Sequence, residues 1–177
     1  MGTHSHLQSK LKSTTASSTD GSSASVVSRS SFLAFKLGRE EYGIPIHSVQ
    51  EIHAYVTPRQ IANSPNHVAG VMDLNGAIAP AVDLRRMLGA PPPRHPLPPA
   101  VIAVRIGPDL VGIIVDSVTG VVELTPEQLL PVPKPNHAAE AELLIAIGAI
   151  DERFMILIDL AKILGSADLG LKRGVFH

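Results

Sequence analysis

The 177-residue chain contains no cysteine and no tryptophan, and aromatic residues make up only 3% of it. Without cysteine it can form neither disulfides nor thiolate metal sites, which fits a reducing compartment. Valine, isoleucine, leucine and alanine therefore have to fill the core, within an apolar fraction of 45%. Branched aliphatic side chains at this density favour β-strands.

Clustered positive charge and long apolar runs are also missing. The formal net charge is −1 and the sequence pI is about 6.7. Phosphate binding needs a local excess of Lys and Arg, so the composition argues against a nucleic-acid partner. The longest apolar run, about eight residues at 143–150, is far shorter than the 18 or more that span a bilayer. We expect a cytoplasmic protein that does not insert into the membrane.

Composition divides the chain into segments. Residues 1–31 are rich in Ser and Thr and almost free of apolar side chains, which predicts a disordered leader. One domain is expected over residues 32–166, followed by a C-terminal tail at 167–177. A proline-rich connector at 91–99 interrupts that domain and is expected to be stiff and extended.

The domain is an internal duplication. Residues 32–52 align with 101–121 without a gap at an offset of 69, with six identities, and residues 82–89 align with 158–165 at an offset of 76. The first repeat thus covers about 32–90 and the second about 100–166. A doubled unit with a shared core forms a cleft and two outer faces, which suits an adaptor better than an enzyme.

Local signals predict the elements within each repeat. Phe32–Leu37 and Tyr42–Ile46 flank a polar turn, as do Val101–Ile106 and Leu110–Val115, so both repeats begin with a hairpin. Residues 143–150 and 154–158 are expected to form a further hairpin. Pro45 predicts an edge strand or a bulge, because proline donates no ladder hydrogen bond. Each repeat ends in a short helix, with an aspartate cap and a closing glycine at Asp83 and Gly89, and at Asp159 and Gly165.

Several motifs in a fixed order resemble the CheW family, the coupling proteins of bacterial chemotaxis. The matching segments include Phe32–Ile44, Val49–Ile52, Ile61–Pro65, Gly76–Arg85 and Val111–Val118, and the likeness covers roughly residues 31–166. The resemblance implies an all-β fold of two five-stranded β-barrel subdomains with short helices. It also implies a non-enzymatic scaffold that needs no cofactor and no metal.

The resemblance further implies two partners. One is the cytoplasmic tip of a methyl-accepting chemoreceptor, and the other is the regulatory domain of a CheA-type histidine kinase. The protein would therefore be recruited from the cytoplasm to membrane receptor arrays. Two alternatives remain open, namely a CheW-like paralogue that controls twitching motility, development or a second messenger, and a module that binds a small ligand.

Site residues follow from the resemblance by position. The receptor-binding groove between the barrels is expected at Val49, Glu51, Asn75, Val118 and Val121, although Val49 and Val118 could equally be core residues. Kinase binding is expected on an apolar surface of the second barrel, at Val101, Val104, Leu143 and Ile145.

One loop departs from the family pattern. The family typically has Asn-Leu-Arg-Gly where this chain has Asp73, Leu74, Asn75 and Gly76. Asparagine carries no charge and reaches less far than arginine. We therefore expect the contacts of this loop to differ from those of the family, through a divergent array or a partner with a compensating change.

A small hydrolase or metal-dependent enzyme is the alternative of a different class. It would have to use scattered residues such as His47, His53 and Asp116. None of the eight histidines forms a convincing i, i+4 pair on a helix, and Ser48 and Ser117 lack both a nucleophile-elbow motif and an identifiable base. The sequence therefore predicts no catalytic residue.

Overall fold

The computed structural model describes residues 28–92, 97–133, 142–167 and 169. They contain eleven strands, which are β1 Ser30–Leu37, β2 Glu40–Pro45, β3 Val49–Ala54, β4 Val68–Leu74, β5 Ala77–Asp83, β6 Ala100–Ile106, β7 Asp109–Val115, β8 Ser117–Leu124, β9 Leu129–Leu130, β10 Leu144–Ile150 and β11 Arg153–Ile158. Two short α-helices are α1 Leu84–Leu88 and α2 Leu160–Ser166, and two single 3-10 turns are Ile46–Ser48 and Pro126–Gln128. No helix in these described ranges is long and apolar enough to cross a membrane.

The strands form two sheets. Sheet A has the order β8-β1-β2-β11-β10-β9, and sheet B has the order β3-β6-β7-β5-β4. The predicted mostly-β fold of two sheets with short helices is confirmed. Closure of either sheet into a barrel stays a prediction.

The duplication is visible in the strand order. Strands β1 to β5 of the first repeat correspond to β6, β7, β8, β10 and β11 of the second. When each strand of sheet B is exchanged for its counterpart, its order becomes β8-β1-β2-β11-β10, which is the order of the first five strands of sheet A. Each sheet therefore contains strands from both repeats. The hairpin β1–β2 pairs with β8 and β11 of the second repeat, while β6–β7 pairs with β3 and β5 of the first.

The starting hairpins are present, with shorter turns than predicted. Glu40 and Glu41 belong to β2, because the turn needs only Gly38 and Arg39, and Gly38 has a φ of 63°. The second hairpin turns in the same way at Gly107, with a φ of 58°. Glycine tolerates this left-handed conformation without a steric cost.

Two boundary predictions need correction. Ser30 and Ser31 belong to β1, where they pair with Leu124 and Glu123 of β8, so the leader is shorter than the predicted 1–31. The remainder of that prediction, at 1–27, lies outside the described residues, as do 93–96 of the connector and most of the tail. Strand β2 is an interior strand, contrary to the prediction from Pro45. Proline is tolerated there because Pro45 ends the strand, beyond the β11 pairing at Tyr42 and Gly43.

Both helices begin at the predicted caps. The Asp83 side chain accepts hydrogen bonds from the amides of Arg85 and Arg86, and Asp159 accepts one from Lys162. Gly89 ends α1 in the left-handed conformation, with a φ of 65°. The prediction for Gly165 was wrong, because α2 continues to Ser166.

One apolar cluster joins the two sheets. This central cluster takes Leu33, Phe35 and Ile44 from sheet A and Ile102, Val104 and Ile113 from sheet B. Two smaller clusters lie within the single sheets, one around Ala103 and Met72 and the other around Ala34 and Leu157. Burial of a shared core explains why neither repeat has to supply a complete interior by itself.

Candidate partner-binding groove

Strands β3 and β8 are repeat equivalents, and each lies at an edge of its sheet. Val49 of β3 is opposite Val104, and Val118 of β8 is opposite Phe35. Val104 and Phe35 are both buried members of the central cluster, and Val49 and Val118 pack against that cluster while partly buried. Both edge strands therefore extend the same core towards solvent.

Each edge strand also carries one strongly exposed apolar side chain three residues further on. Ile52 is 47% exposed and Val121 is 59% exposed. Ile52 is opposite Ile102, and Val121 is opposite Leu33, which are again members of the central cluster. We call the four residues Val49, Ile52, Val118 and Val121 the seam groove, after the groove that the sequence analysis expects between the two repeats.

A β-bulge in each strand explains this spacing. In a regular strand, residues three apart point to opposite faces of the sheet. The pairing register skips Gln50 in β3 and Thr119 in β8, two residues that are equivalent at the offset of 69. A bulge adds one residue to a strand and so returns the following side chains to the other face. The duplicated bulge thus places both apolar pairs on the face of the central cluster.

A polar cluster lies on the opposite face of β3 from Val49 and Ile52, because Glu51 and His53 are opposite Ala103 and Val101, which belong to the smaller cluster of sheet B. The Nδ2 atom of Asn75 donates a hydrogen bond to Oε2 of Glu51 over 2.5 Å, and Nε2 of His53 is 3.4 Å from the same oxygen. Asn75 holds a left-handed turn conformation with a φ of 55°, which asparagine adopts more readily than most residues. The amide of Gly76 donates to Oδ1 of Asp73 over 2.5 Å and closes this turn.

The structure thus brings together Glu51 and Asn75, which the sequence analysis assigned to one site. It places Val49, Val118 and Val121 on the faces that border the central cluster. Ile52 was missed, although its alignment with Val121 at the offset of 69 could have identified it.

The predicted kinase-binding set needs correction. Val101 and Val104 are both fully buried, so their side chains offer no surface to a partner. The reason is that β6 lies between β3 and β7 and is covered on both faces. Leu143 packs against the central cluster, and Ile145 is 44% exposed.

The two strands that flank β10 also carry exposed apolar side chains, although Phe154 is opposite Ala149, four residues along β10 from Ile145. Phe154 of β11 is 65% exposed, and Leu130 of β9 is also exposed. Strand β10, which carries Ile145, pairs with both of these strands. We call Leu130, Ile145 and Phe154 the outer patch.

The residues considered for catalysis do not converge. His47 lies in a 3-10 turn and His53 in β3, so no single strand carries both. The carboxylate of Asp116 is occupied by Arg85 and by the amide of Gly38. In the part of the chain that the structure describes, no group of three His, Asp or Glu side chains could hold a metal ion.

An open cleft of about 310 Å³ lies away from the polar cluster. Its described lining comprises Asn66, His67, Arg86, Met87, Leu88, Leu143, Ile163 and Ala167. Of the predicted binding residues, this lining includes Leu143.

Comparisons with known proteins agree on one family. The model of the CheW-like domain matches residues 31–168. The chemotaxis protein CheW of Klebsiella aerogenes is 41% identical over 140 residues, which cover 79% of this chain and 84% of that protein. A probable chemotaxis protein CheW of Rhizobium etli is 30% identical over 136 residues, which cover 77% of this chain and 88% of that protein.

The fold comparison gives the same result. The crystal structure of the scaffolding protein TtCheW from Thermoanaerobacter tengcongensis matches with a TM-score of 0.71 and 25% identity. The match covers 85% of this chain and 100% of the TtCheW chain. The chain, with its duplicated sheets and its two bulged edge strands, therefore belongs to the CheW family of chemotaxis coupling proteins.

Proposed function

We propose that the chain is a non-enzymatic adaptor that couples the cytoplasmic tip of a methyl-accepting chemoreceptor to the regulatory domain of a CheA-type histidine kinase. The observation that carries the proposal is the seam groove, in which two equivalent edge strands present apolar side chains from one core. The protein would act in the cytoplasm at membrane receptor arrays. The 41% identity to a chemotaxis protein favours chemotaxis over another chemosensory output.

The receptor contact is assigned to the seam groove. An amphipathic helix binds a groove through apolar side chains on one face, and the groove residues supply a matching apolar floor. Val49 and Val118 form its partly buried base, while the exposed side chains of Ile52 and Val121 are available for burial by a partner. Removing such apolar area from water is the main source of affinity in this binding mode.

The kinase contact is assigned to the outer patch. Exposed apolar side chains on neighbouring strands of one sheet are suited to protein docking. The patch lies on β9, β10 and β11, whereas the sheet A half of the groove lies on β8. Separate strands allow both partners to bind the same molecule, which is the requirement for coupling.

Calorimetric titration with a receptor cytoplasmic fragment tests the receptor contact. Ile52→Asp and Val121→Asp each place a charge in the apolar contact, and we expect each to weaken binding at least tenfold, or about 1.4 kcal/mol. Both side chains are exposed, so the thermal unfolding midpoint should change little. Leu97→Asp is the matched control, because Leu97 is exposed in the connector and outside the groove. Unchanged affinity in both groove variants would contradict the proposal.

A further inference from the structure

A second polar cluster lies on sheet A, at the bulge of β8. The hydroxyl of Thr119 donates a hydrogen bond to Oε1 of Glu41 over 3.1 Å, and Nη1 of Arg153 is 3.3 Å from Oε2 of the same carboxylate. The Glu41 side chain is only 10% exposed, whereas that of Arg153 is 62% exposed. Both oxygens of a mostly buried carboxylate are therefore engaged, one of them by the edge strand β8.

The hydrogen bond between Glu41 and Thr119 crosses an intervening strand. Glu41 lies in β2 and is opposite Lys36 of β1, and Lys36 is in turn opposite Ser117 of β8. The Glu41 side chain therefore passes over β1 to reach β8. This bond fastens the edge strand to an interior strand of sheet A, in addition to the backbone ladder between β1 and β8.

Thr119 is the residue that the register between β1 and β8 leaves out. Val118 is opposite Phe35 and Gly120 is opposite Ala34, with Thr119 between them. Gly120 has a φ of 140°, which residues other than glycine rarely adopt. A bulged residue has no place in the ladder, and within the described residues β8 pairs with β1 alone. The side-chain bond to Glu41 thus holds the bulged residue in place.

The bulge decides which face of the sheet Val121 occupies. With the bulge at Thr119, Val121 is opposite Leu33, a buried member of the central cluster. A shift of register by one residue moves every following side chain to the other face. Without the bulge, Val121 would be opposite Phe32, which belongs to the smaller cluster on the other face of sheet A. The seam groove would then lose one of its two exposed apolar side chains.

We propose that Glu41 is a positioning residue for the receptor contact. Through the hydroxyl of Thr119 it holds the bulge of β8 and so keeps Val121 on the face of the seam groove. Glu41 lies on the same face as Lys36 and Ala34, opposite to the central cluster, and therefore acts without touching a partner in the groove. The inference rests on the proposed function, because the groove is the surface assigned to the receptor.

The first test changes the donor of the hydrogen bond. The full chain is titrated calorimetrically with a receptor cytoplasmic fragment and, separately, with the kinase regulatory domain. Thr119→Val keeps the branched shape and removes the hydroxyl, so we expect receptor affinity to fall at least about fivefold while kinase affinity stays unchanged. Thr119→Ser keeps the hydroxyl and should bind the receptor within about twofold of the wild type. Thr57→Val is the matched control, because Thr57 is exposed in the loop after β3.

The second test changes the acceptor. Glu41→Leu should weaken receptor binding as Thr119→Val does, whereas Glu41→Gln retains an acceptor oxygen and should restore most of the affinity. The double variant of Glu41→Leu and Thr119→Val should bind no more weakly than either single variant, because both remove the same bond. Nuclear Overhauser contacts between Val121 and Leu33 report the register directly, and they should be strong in the wild type and weakened in Thr119→Val.

The outcomes separate this inference from the proposed function. Receptor binding that is weakened by Val121→Asp but unaffected by Thr119→Val would overturn the positioning role and leave the adaptor function standing. Equal losses of receptor and kinase affinity, or losses at Glu41 and Thr119 that add in the double variant, would also overturn the positioning role. A wild type that does not bind the receptor fragment would overturn both proposals.

Discussion

At the scale of single residues, Asp116 and Arg85 join the two repeats. Asp116 lies between β7 and β8, and Arg85 lies in α1 of the first repeat, with 19% of each side chain exposed. The second carboxylate oxygen of Asp116 accepts a hydrogen bond from the Gly38 amide over 2.6 Å. The Asp116 amide in turn donates to the carbonyl of Lys36 over 3.1 Å. One carboxylate therefore fixes the first turn, the first helix and the start of β8.

Removing either charge should destabilise the fold. Arg85→Met leaves a mostly buried carboxylate without its cation, and Asp116→Asn leaves the guanidinium without its anion. We expect each change to lower the free energy of unfolding by about 2–4 kcal/mol, measured by urea denaturation. The exposed pair Arg29 and Glu123 is the control, and Arg29→Met should cost less than about 1 kcal/mol. Equal small losses at both pairs would show that the junction is unimportant.

Sequence patterns predicted the residues whose role is local. The caps Asp83 and Asp159 follow from an aspartate that directly precedes an apolar helical turn, and both are confirmed. Val101 and Val104 were misassigned, because an apolar run does not reveal whether a strand is covered on one face or both. The ion pair of Arg85 and Asp116 could not be predicted, because its partners are distant in the chain and meet only through the fold.

At the scale of elements, the repeats exchange strands between the two sheets. The offsets of 69 and 76 predicted which strands are equivalent, and the sheet order confirms the equivalence. They could not predict that β1 and β2 would pair with β8 and β11, since a local pattern identifies a strand without naming its partner. The duplicated bulges at Gln50 and Thr119 were also hidden, because a bulge depends on the pairing register.

Strand exchange predicts that neither repeat folds alone. A fragment covering 1–92 lacks every partner of β1 and β2 from the second repeat, and a fragment covering 97–177 lacks β3 and β5. We expect each fragment to show no cooperative thermal unfolding by circular dichroism. An equimolar mixture should recover a cooperative transition, because the two sheets can then assemble. Cooperative unfolding of either isolated fragment would contradict the exchanged arrangement.

At the scale of the whole molecule, the duplicated fold presents two kinds of surface. The seam groove combines edge strands of both sheets, while the outer patch lies on the β9–β11 part of sheet A. An adaptor has to bind two partners at once, and its effect depends on the relative position in which it holds them. Of the residues that the family resemblance assigned to partners, Val49, Val118 and Val121 border the central cluster at the edge strands, whereas Val101 and Val104 are buried, and the receptor contact itself stays a prediction.

Simultaneous binding of both partners is the most direct test. The measurement is size-exclusion chromatography with light scattering on a mixture of this protein, a receptor cytoplasmic fragment and the regulatory domain of a CheA-type kinase. We predict a complex of all three, from which Val121→Asp removes the receptor fragment and Ile145→Asp removes the kinase domain. Mutual exclusion of the two partners, or failure to bind either of them, would contradict the account.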